Sequence, residues 1–356
     1  MRKISIGILG ATGTVGQMFV QMLDGHPWFE VTELAASDRS AGKSYGELMR
    51  SRWSAGAEIP EYARNMVVKE CHPGLDCSIV FSALDSDVAG GIEEEFANHG
   101  YAVSTNARNH RMDADVPISI PEINPEHLGL IERQRTRRGS KGFIITNGNC
   151  STISFCMGLK PLYDAFGVEK AVVTTLQALS GAGYPGVPSL DIVGNVIPFI
   201  NGEEEKMQSE PLKIFGRLSG GAIRNAGFAI SATCTRVGVV NGHTESVSVK
   251  LSRKADPDEV IEAWEDFNPL AGLGLPSSPR RPITYTRESD RPQPRKDASA
   301  GNGMTTVIGR LRECSILDYK FVLLGHNLVR GAAGSAILNA EMLVKQGYID
   351  GQSIGK

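Results

Sequence analysis

The sequence predicts an α/β chain, a doubly wound parallel sheet followed by a second α+β domain, and three observations carry that prediction. The chain opens on a β-branched run closed by spaced glycines and followed by an apolar pattern of helical period. Strand-like and helix-like stretches then alternate over roughly the first 150 residues. Beyond them the pattern changes to longer strand runs joined by glycine-rich loops. At 356 residues the chain is long enough for two domains, each with its own core.

Composition narrows the class. A hydrophobic content of 41% and a charged content of 22% are those of a soluble globular protein. The net charge of −3 gives no basis for a nucleic-acid or anionic-membrane partner. The cysteines at 71, 77, 150, 156, 234 and 314 form no CxxC pair. That pattern suits reduced thiols in the cytoplasm, not a disulfide framework or a metal site. The apolar stretch of MRKISIGILG is too short for a signal peptide or a span, so the expectation is a cytoplasmic protein.

Each element follows in turn. Ile4–Leu9 reads as a strand, and Gly10-Ala11-Thr12-Gly13-Thr14-Val15-Gly16 reads as a glycine turn. Val15, Phe19, Val20 and Leu23 then recur at helical spacing up to Asp24-Gly25. Strand, glycine turn and helix open a Rossmann-type dinucleotide unit, in which glycines let the backbone approach a pyrophosphate. The spacing is GxxGxxG, looser than GxGxxG, and the competing reading is a tight helix–strand contact. A second strand, Glu30–Ala36, meets Ser37, Asp38, Arg39, Ser40 and Lys43. Two hydroxyls and two cations favour the 2′-phosphate of NADP, while Asp38 keeps NAD open. Strands follow at Ser78–Ala83, Ala102–Ser104 and Ile118–Ile120, with a helix over Val88–His99 and a polar loop at Asn106–Arg111.

Phe143–Ile153, FIITNGNCSTI, places Cys150 where an apolar strand turns into a helix expected over Ile153–Leu159. Unpaired N–H groups and the helix dipole there would favour a thiolate and could hold an oxyanion. A small buried hydrophobe is the alternative reading of Cys150. Later strands are expected at Val172–Gln177, Ala229–Ala232, Arg236–Val240 and Glu245–Leu251, and a helix at Asp256–Asp266. Ser180–Gly186 is a glycine-rich loop, Pro276–Asp297 an extended excursion suited to an oligomer contact or lid, and Asn327–Lys345 a final helix packing back on the first domain. His243 falls in a turn between strands, as either a surface residue or a base, and Arg236 lies seven residues earlier. Glu210 and Lys213 share one helical face, whether as ligands or as an exposed ion pair.

The motifs GILGATGTVGQ, AASDRSAGK, NGNCST, QALSGAGYPGVPS, EEEKMQSE, NGHTES, DRPQPR and HNLVRGAAGSA occur in order along nearly the whole chain. Together they resemble the archaeal and fungal branch of the aspartate-β-semialdehyde dehydrogenase family. The resemblance implies reversible NADPH-dependent reduction of aspartyl phosphate in lysine, threonine, methionine and isoleucine biosynthesis, without a metal. It implies Cys150 as the acyl-thioester nucleophile, His243 as acid/base and Gln177 as orienting group. Arg236 would hold the substrate carboxylate and Glu210 its ammonium, beside Asn149, while Lys213 and Arg111 would hold phosphate. Gly10, Thr12, Gly13, Thr14, Val15, Ser37, Arg39 and Ser40 would bind the dinucleotide, with Ser180, Gly181, Gly183 and Asn327 at its nicotinamide half. The implied domains are 1–149, completed by a helix over 326–356, and a catalytic and dimerisation domain over 150–325 in a homodimer or homotetramer.

Two departures from the family pattern stand out. Gly148 replaces the usual proline before Asn149-Cys150, and His110 replaces a tyrosine near Arg111, which makes Arg108 its rival for phosphate. Archaeal-type malonyl-CoA reductase resembles parts of the chain, notably LSGAGYPGVPSLD, but its substrate has no ammonium for Glu210. A non-catalytic dinucleotide sensor would not need Cys150, Gln177, Glu210, Arg236 and His243 together.

Overall fold

The computed structural model describes residues 3–56 and 58–349. Its first sheet is built from β1 (Ile4–Leu9), β2 (Phe29–Ala36), β3 (Lys69–Glu70), β4 (Ile79–Ser82), β5 (Ala102–Thr105) and β6 (Phe143–Thr146). All pairings are parallel, in the order β3-β2-β1-β4-β5-β6. These strands read as near-continuous apolar runs because both faces are covered. Ile4, Ile6, Ile8, Phe81 and Ile145 face one core, whereas Leu9, Ala35, Val80, Val103 and Ile144 face another. The strand order reverses between β1 and β4, where such sheets open a ligand crevice beyond the carboxyl ends of the strands.

Ile118–Ile120, expected as a strand, forms only a single parallel bridge from Ile118 to Thr146. Its isoleucines, with Ile123, belong to the core of the second sheet. Short and apolar, the run satisfied the strand pattern, but tertiary packing took it elsewhere.

The second sheet comprises β7 (Val168–Gln177), β10 (Ala229–Arg236), β11 (His243–Leu251), β12 (Ile283–Thr286), β13 (Thr306–Glu313) and β14 (Tyr319–Gly325). Its order is β10-β7-β11-β14-β13-β12, with mixed parallel and antiparallel pairs. A small hairpin pairs β8 (Arg217–Ser219) with β9 (Ala222–Arg224). The helices Cys150–Phe166 and Pro257–Glu265 cover one face through Phe155, Leu159, Val260 and Trp264. The two strands expected between Ala229 and Val240 are one strand that ends at Arg236. The Pro276–Asp297 excursion, expected as an oligomer contact or lid, contributes β12 to the edge of this sheet. The last helix, Gly334–Lys345, adds Ala336, Ile337, Ala340 and Leu343 to the core of the first sheet. Positions 350–356 of the expected terminal helix lie outside the described residues.

Candidate active site

Residues 147–149 turn β6 directly into a 17-residue helix that starts at Cys150, three residues earlier than its apolar run announces. Asn149 is the cap: its Oδ1 accepts from the N–H groups of Ser151 (3.0 Å) and Thr152 (3.3 Å). These are two of the N–H groups expected to hold an oxyanion, so the cap has already used them. The N–H of Cys150 itself has no protein partner among the described residues.

Two glutamates of one helix, Glu203–Ile214, pin this corner from opposite sides. Glu210 accepts the Asn149 N–H through Oε2 at 2.7 Å, and Glu203 accepts the Asn149 Nδ2 at 2.8 and 3.1 Å. Gly148 fits because a Cβ there would already lie 3.2 Å from Ile153.

The sulfur of Cys150 lies 3.1 Å from Nε2 of His243. His243 is not in a turn: Gly242, at φ 94°, makes the turn, and the histidine begins β11, fully buried. Its Nδ1 accepts the Ala178 N–H at 3.0 Å. Gly181 packs tightly beside it, since a Cβ there would stand 3.1 Å from Arg236 and 3.2 Å from the ring. Burial, with Glu203 nearby, pushes the Cys150 thiol up to about 12, outweighing Arg236, Arg111 and the Ser151 N–H. The expected easily ionised thiol is therefore corrected, because desolvation at this helix start exceeds the dipole's help. Burial also pulls His243 down to about 3, aided by Arg236 and His326 against Glu203.

A cleft of about 910 Å³ joins this corner to the glycine turn. Thr12, Gly13, Thr14 and Val15 line one end, and Cys150, Asn149, Gln177 and Arg236 the other. Ser180, Gly181, Gly183 and Asn327 form the wall between them, with Asn327 donating to Ser180 Oγ at 2.8 Å. Gly10 does not line the cleft. At φ +75°, with a Cβ position 2.6 Å from the Ala83 carbonyl oxygen, it shapes the turn. The Thr14–Met22 helix has no side-chain cap, which leaves its first N–H groups for an anionic ligand. A pyrophosphate fits this cradle. Arg39 reaches the rim together with Arg52, a cation the sequence did not single out. Ser37 and Ser40 lie outside the lining, where the Ser40 N–H closes a turn onto the Ser37 carbonyl.

The expected Glu210–Lys213 pair stands behind the cleft rather than in it. Nζ of Lys213 donates to the carbonyls of Arg111, Asp113 and Val116 at 2.6, 2.7 and 2.8 Å, using all three of its N–H donors. Arg111 lines the cleft but donates to Glu210 Oε1 at 2.8 Å and to the Asn106 carbonyl at 2.7 Å. Arg108 lines the same wall and is exposed. The pair that does face the cleft is Glu203 and Lys206, joined at 2.6 Å and also three residues apart. Seven residues separate the two pairs, so both lie on one helical face, and the EEEK run carried the signal. Gln177 donates to Glu203 Oε2 at 3.2 Å.

Two family models match the chain: the NAD binding domain of semialdehyde dehydrogenase over residues 5–131, and its dimerisation domain over residues 159–330. An aspartate-semialdehyde dehydrogenase of Archaeoglobus fulgidus is 51% identical over 98% of this chain and 100% of its own length. One from Cryptococcus neoformans is 46% identical, covering 98% of each chain. Among solved structures, aspartate semialdehyde dehydrogenase with NADP from Candida albicans superposes at a TM-score of 0.89, with 40% identity over 98% of this chain and all of that one. The Vibrio cholerae enzyme II complexed with ASA gives 0.77 at 28% identity, covering 97% of this chain and 99% of that one.

Proposed function

Because this chain belongs to the aspartate-semialdehyde dehydrogenase family, we propose that it interconverts aspartyl β-phosphate and aspartate β-semialdehyde through an acyl-thioester on Cys150. The observation that carries the reading is Cys150 Sγ at a helix start, 3.1 Å from His243 Nε2, in one cleft with an uncapped glycine-turn helix. A nicotinamide dinucleotide bound there supplies or accepts the hydride. Two guanidinium groups at the rim, Arg39 and Arg52, favour a cofactor with a 2′-phosphate, hence NADP over NAD.

The remaining groups sort by chemistry. Arg236 offers a planar fork for a carboxylate, with one N–H spent on the Ala178 carbonyl at 2.7 Å. Glu203 is the carboxylate that lines the cleft and suits a substrate ammonium, the role the family resemblance implied for Glu210. Lys206, Arg108 and Arg111 are the cleft-lining cations for the phosphate, Arg111 with two donors already given to Glu210 and the Asn106 carbonyl. Gln177 and the Cys150 N–H face the carbonyl oxygen on the nucleophile's side. The second sheet's uncovered face fits a homodimer.

The test is a paired assay following reduced-cofactor absorbance. One mixture holds aspartate semialdehyde, NADP and phosphate, and the other malonate semialdehyde, NADP and CoA. We expect turnover only in the first, lost in Cys150→Ser while the dinucleotide still binds. Turnover confined to the second mixture sinks the substrate assignment.

A further inference from the structure

Resting on the reading of Arg39 and Arg52 as the 2′-phosphate rim, we propose that Gln17 is the positioning residue that sets Arg52 and so fixes the preference for NADP over NAD. The rim differs from the one that the 37–43 run announces. Ser37 and Ser40 lie outside the cleft lining. Nζ of Lys43 is turned onto the Arg39 carbonyl at 3.0 Å. Of that run only Arg39 lines the cleft, and the second cation, Arg52, comes from a separate segment. Arg52 is exposed, and a long exposed side chain loses rotamer freedom when it grips a ligand. How well it discriminates therefore depends on how firmly its backbone is held.

That backbone is tied to the glycine turn twice. Gln17, on the Thr14–Met22 helix, is 1% exposed and uses both ends of its amide. Its Nε2 donates to the Thr12 carbonyl at 3.2 Å, inside the glycine turn. Its Oε1 accepts from the Ser54 N–H at 2.8 Å and from the Ser54 hydroxyl at 3.2 Å, two residues beyond Arg52. The second tie runs through aromatic rings. The Tyr45 hydroxyl donates to the Ala11 carbonyl at 2.9 Å, and the Tyr45 ring meets Trp53 edge-on with centroids 6.4 Å apart. Behind Arg52, its own N–H and that of Trp53 both donate to the Met49 carbonyl, at 3.1 and 2.9 Å. Among the described residues, the Gln17 amide alone hydrogen-bonds both the glycine turn and the Arg52 segment.

NADP and NAD share everything except the 2′-phosphate. A fault in the cradle alone weakens both nucleotides equally, whereas a fault in the setting of Arg52 weakens NADP selectively. The ratio of the two affinities therefore reads the Gln17–Ser54 link separately from the Gln17–Thr12 link.

The test is calorimetric titration of the full-length protein with NADP and with NAD, in the absence of substrate. We expect Arg52→Ala to cut the NADP-to-NAD affinity ratio by about 10-fold or more, the effect of losing a bond to a charged group. Gln17→Met keeps the side chain's length and loses its hydrogen bonds, and should cut the ratio by about 3- to 10-fold. In the Arg52→Ala background the same substitution should leave the ratio unchanged, because its effect passes through that arginine. Equal proportional losses in the two backgrounds overturn the proposal. Ser54→Ala removes only the hydroxyl bond at an exposed position and should lower the ratio by about 2-fold. It carries the test if Gln17→Met does not fold, and an unchanged ratio in it then overturns the proposal. Equal affinity of the wild-type chain for NADP and NAD overturns the reading of the rim as well. A wild-type preference that Gln17→Met leaves intact overturns the assignment of Gln17 alone.

Discussion

Glu203 and Glu210 occupy one face of one helix, seven residues apart, yet they meet different surroundings. Glu210 is closed off by Arg111 and the Asn149 N–H, and it serves the corner's geometry. Glu203 reaches the cleft, where its carboxylate meets Lys206, Asn149 and Gln177. Removing its charge should therefore weaken a substrate ammonium contact worth about 1.5–3 kcal/mol. We expect Glu203→Gln to raise KM for aspartate semialdehyde by roughly 10- to 150-fold. Lys213→Met should leave KM nearly unchanged and lower the melting temperature, because three carbonyls lose their donor. Steady-state kinetics and thermal melts on both variants check this division. A KM effect confined to Glu210→Gln would return the role to the residue for which the family resemblance implied it. Spacing alone could not choose, because a period of seven repeats the same face.

Among the elements, the strand-to-helix corner was legible and its backing was not. The β-branched FIIT run, the Asn-Gly-Asn turn and the apolar stretch after Cys150 specify strand, cap and helix from local chemistry. The first βαβ unit was legible for the same reason. By contrast β13 and β14 carry no turn signal as strong, and Ile118–Ile120 looked like a strand but joined another core. The element behind Cys150 is a π-helical turn at Val329–Ala333, a form with no simple sequence signature that often marks functional sites. Gly331 in that turn lies so close that a Cβ would stand 2.6 Å from Cβ of Cys150 and 3.0 Å from its Cα. Gly331→Ala should push the nucleophile off its position and lower kcat by about 10-fold or more, at an overpacking cost of roughly 1–3 kcal/mol. Unchanged kcat in a folded variant would show that the turn gives way instead.

A second element-scale expectation concerns Glu245, two residues along β11 from His243. It is fully buried, and neither carboxylate oxygen has a hydrogen-bond partner among the described residues. Burial raises its pKa well above 4.5. The folded chain thus keeps a proton that the unfolded chain releases above about pH 4.5. Its contribution to stability is fully present below that pH and is lost as pH rises toward the folded value. Glu245→Gln should remove this alkaline penalty, worth up to about 1.4 kcal/mol per pH unit within the window. Melting temperatures from pH 4 to 9 should converge at the acid end and favour the variant at the alkaline end. Parallel curves would mean that the carboxyl is not held neutral.

At the scale of the whole molecule, two cores meet along the cleft, and each supplies half the chemistry. The parallel sheet presents the glycine turn, and the mixed sheet presents His243, Gln177 and Arg236. The mixed sheet is covered by helices on one side only. On the other, Val172 and Leu176 of β7 are exposed, and the 184–199 segment adds Leu190 (93% exposed), Val193 (76%) and Phe199 (64%). An apolar patch of this kind marks an interaction surface, and the dimerisation-domain match over 159–330 indicates a second copy as its occupant. The same segment pairs with the strand that carries Arg236, since Ile197 and Arg236 exchange backbone hydrogen bonds at 2.8 and 3.0 Å. Covering the patch should therefore also steady Arg236. Leu190→Asp combined with Phe199→Asp should give a monomer by sedimentation, with the KM for aspartate semialdehyde raised and dinucleotide binding retained. A variant that still sediments as the wild-type assembly would place the interface on another face.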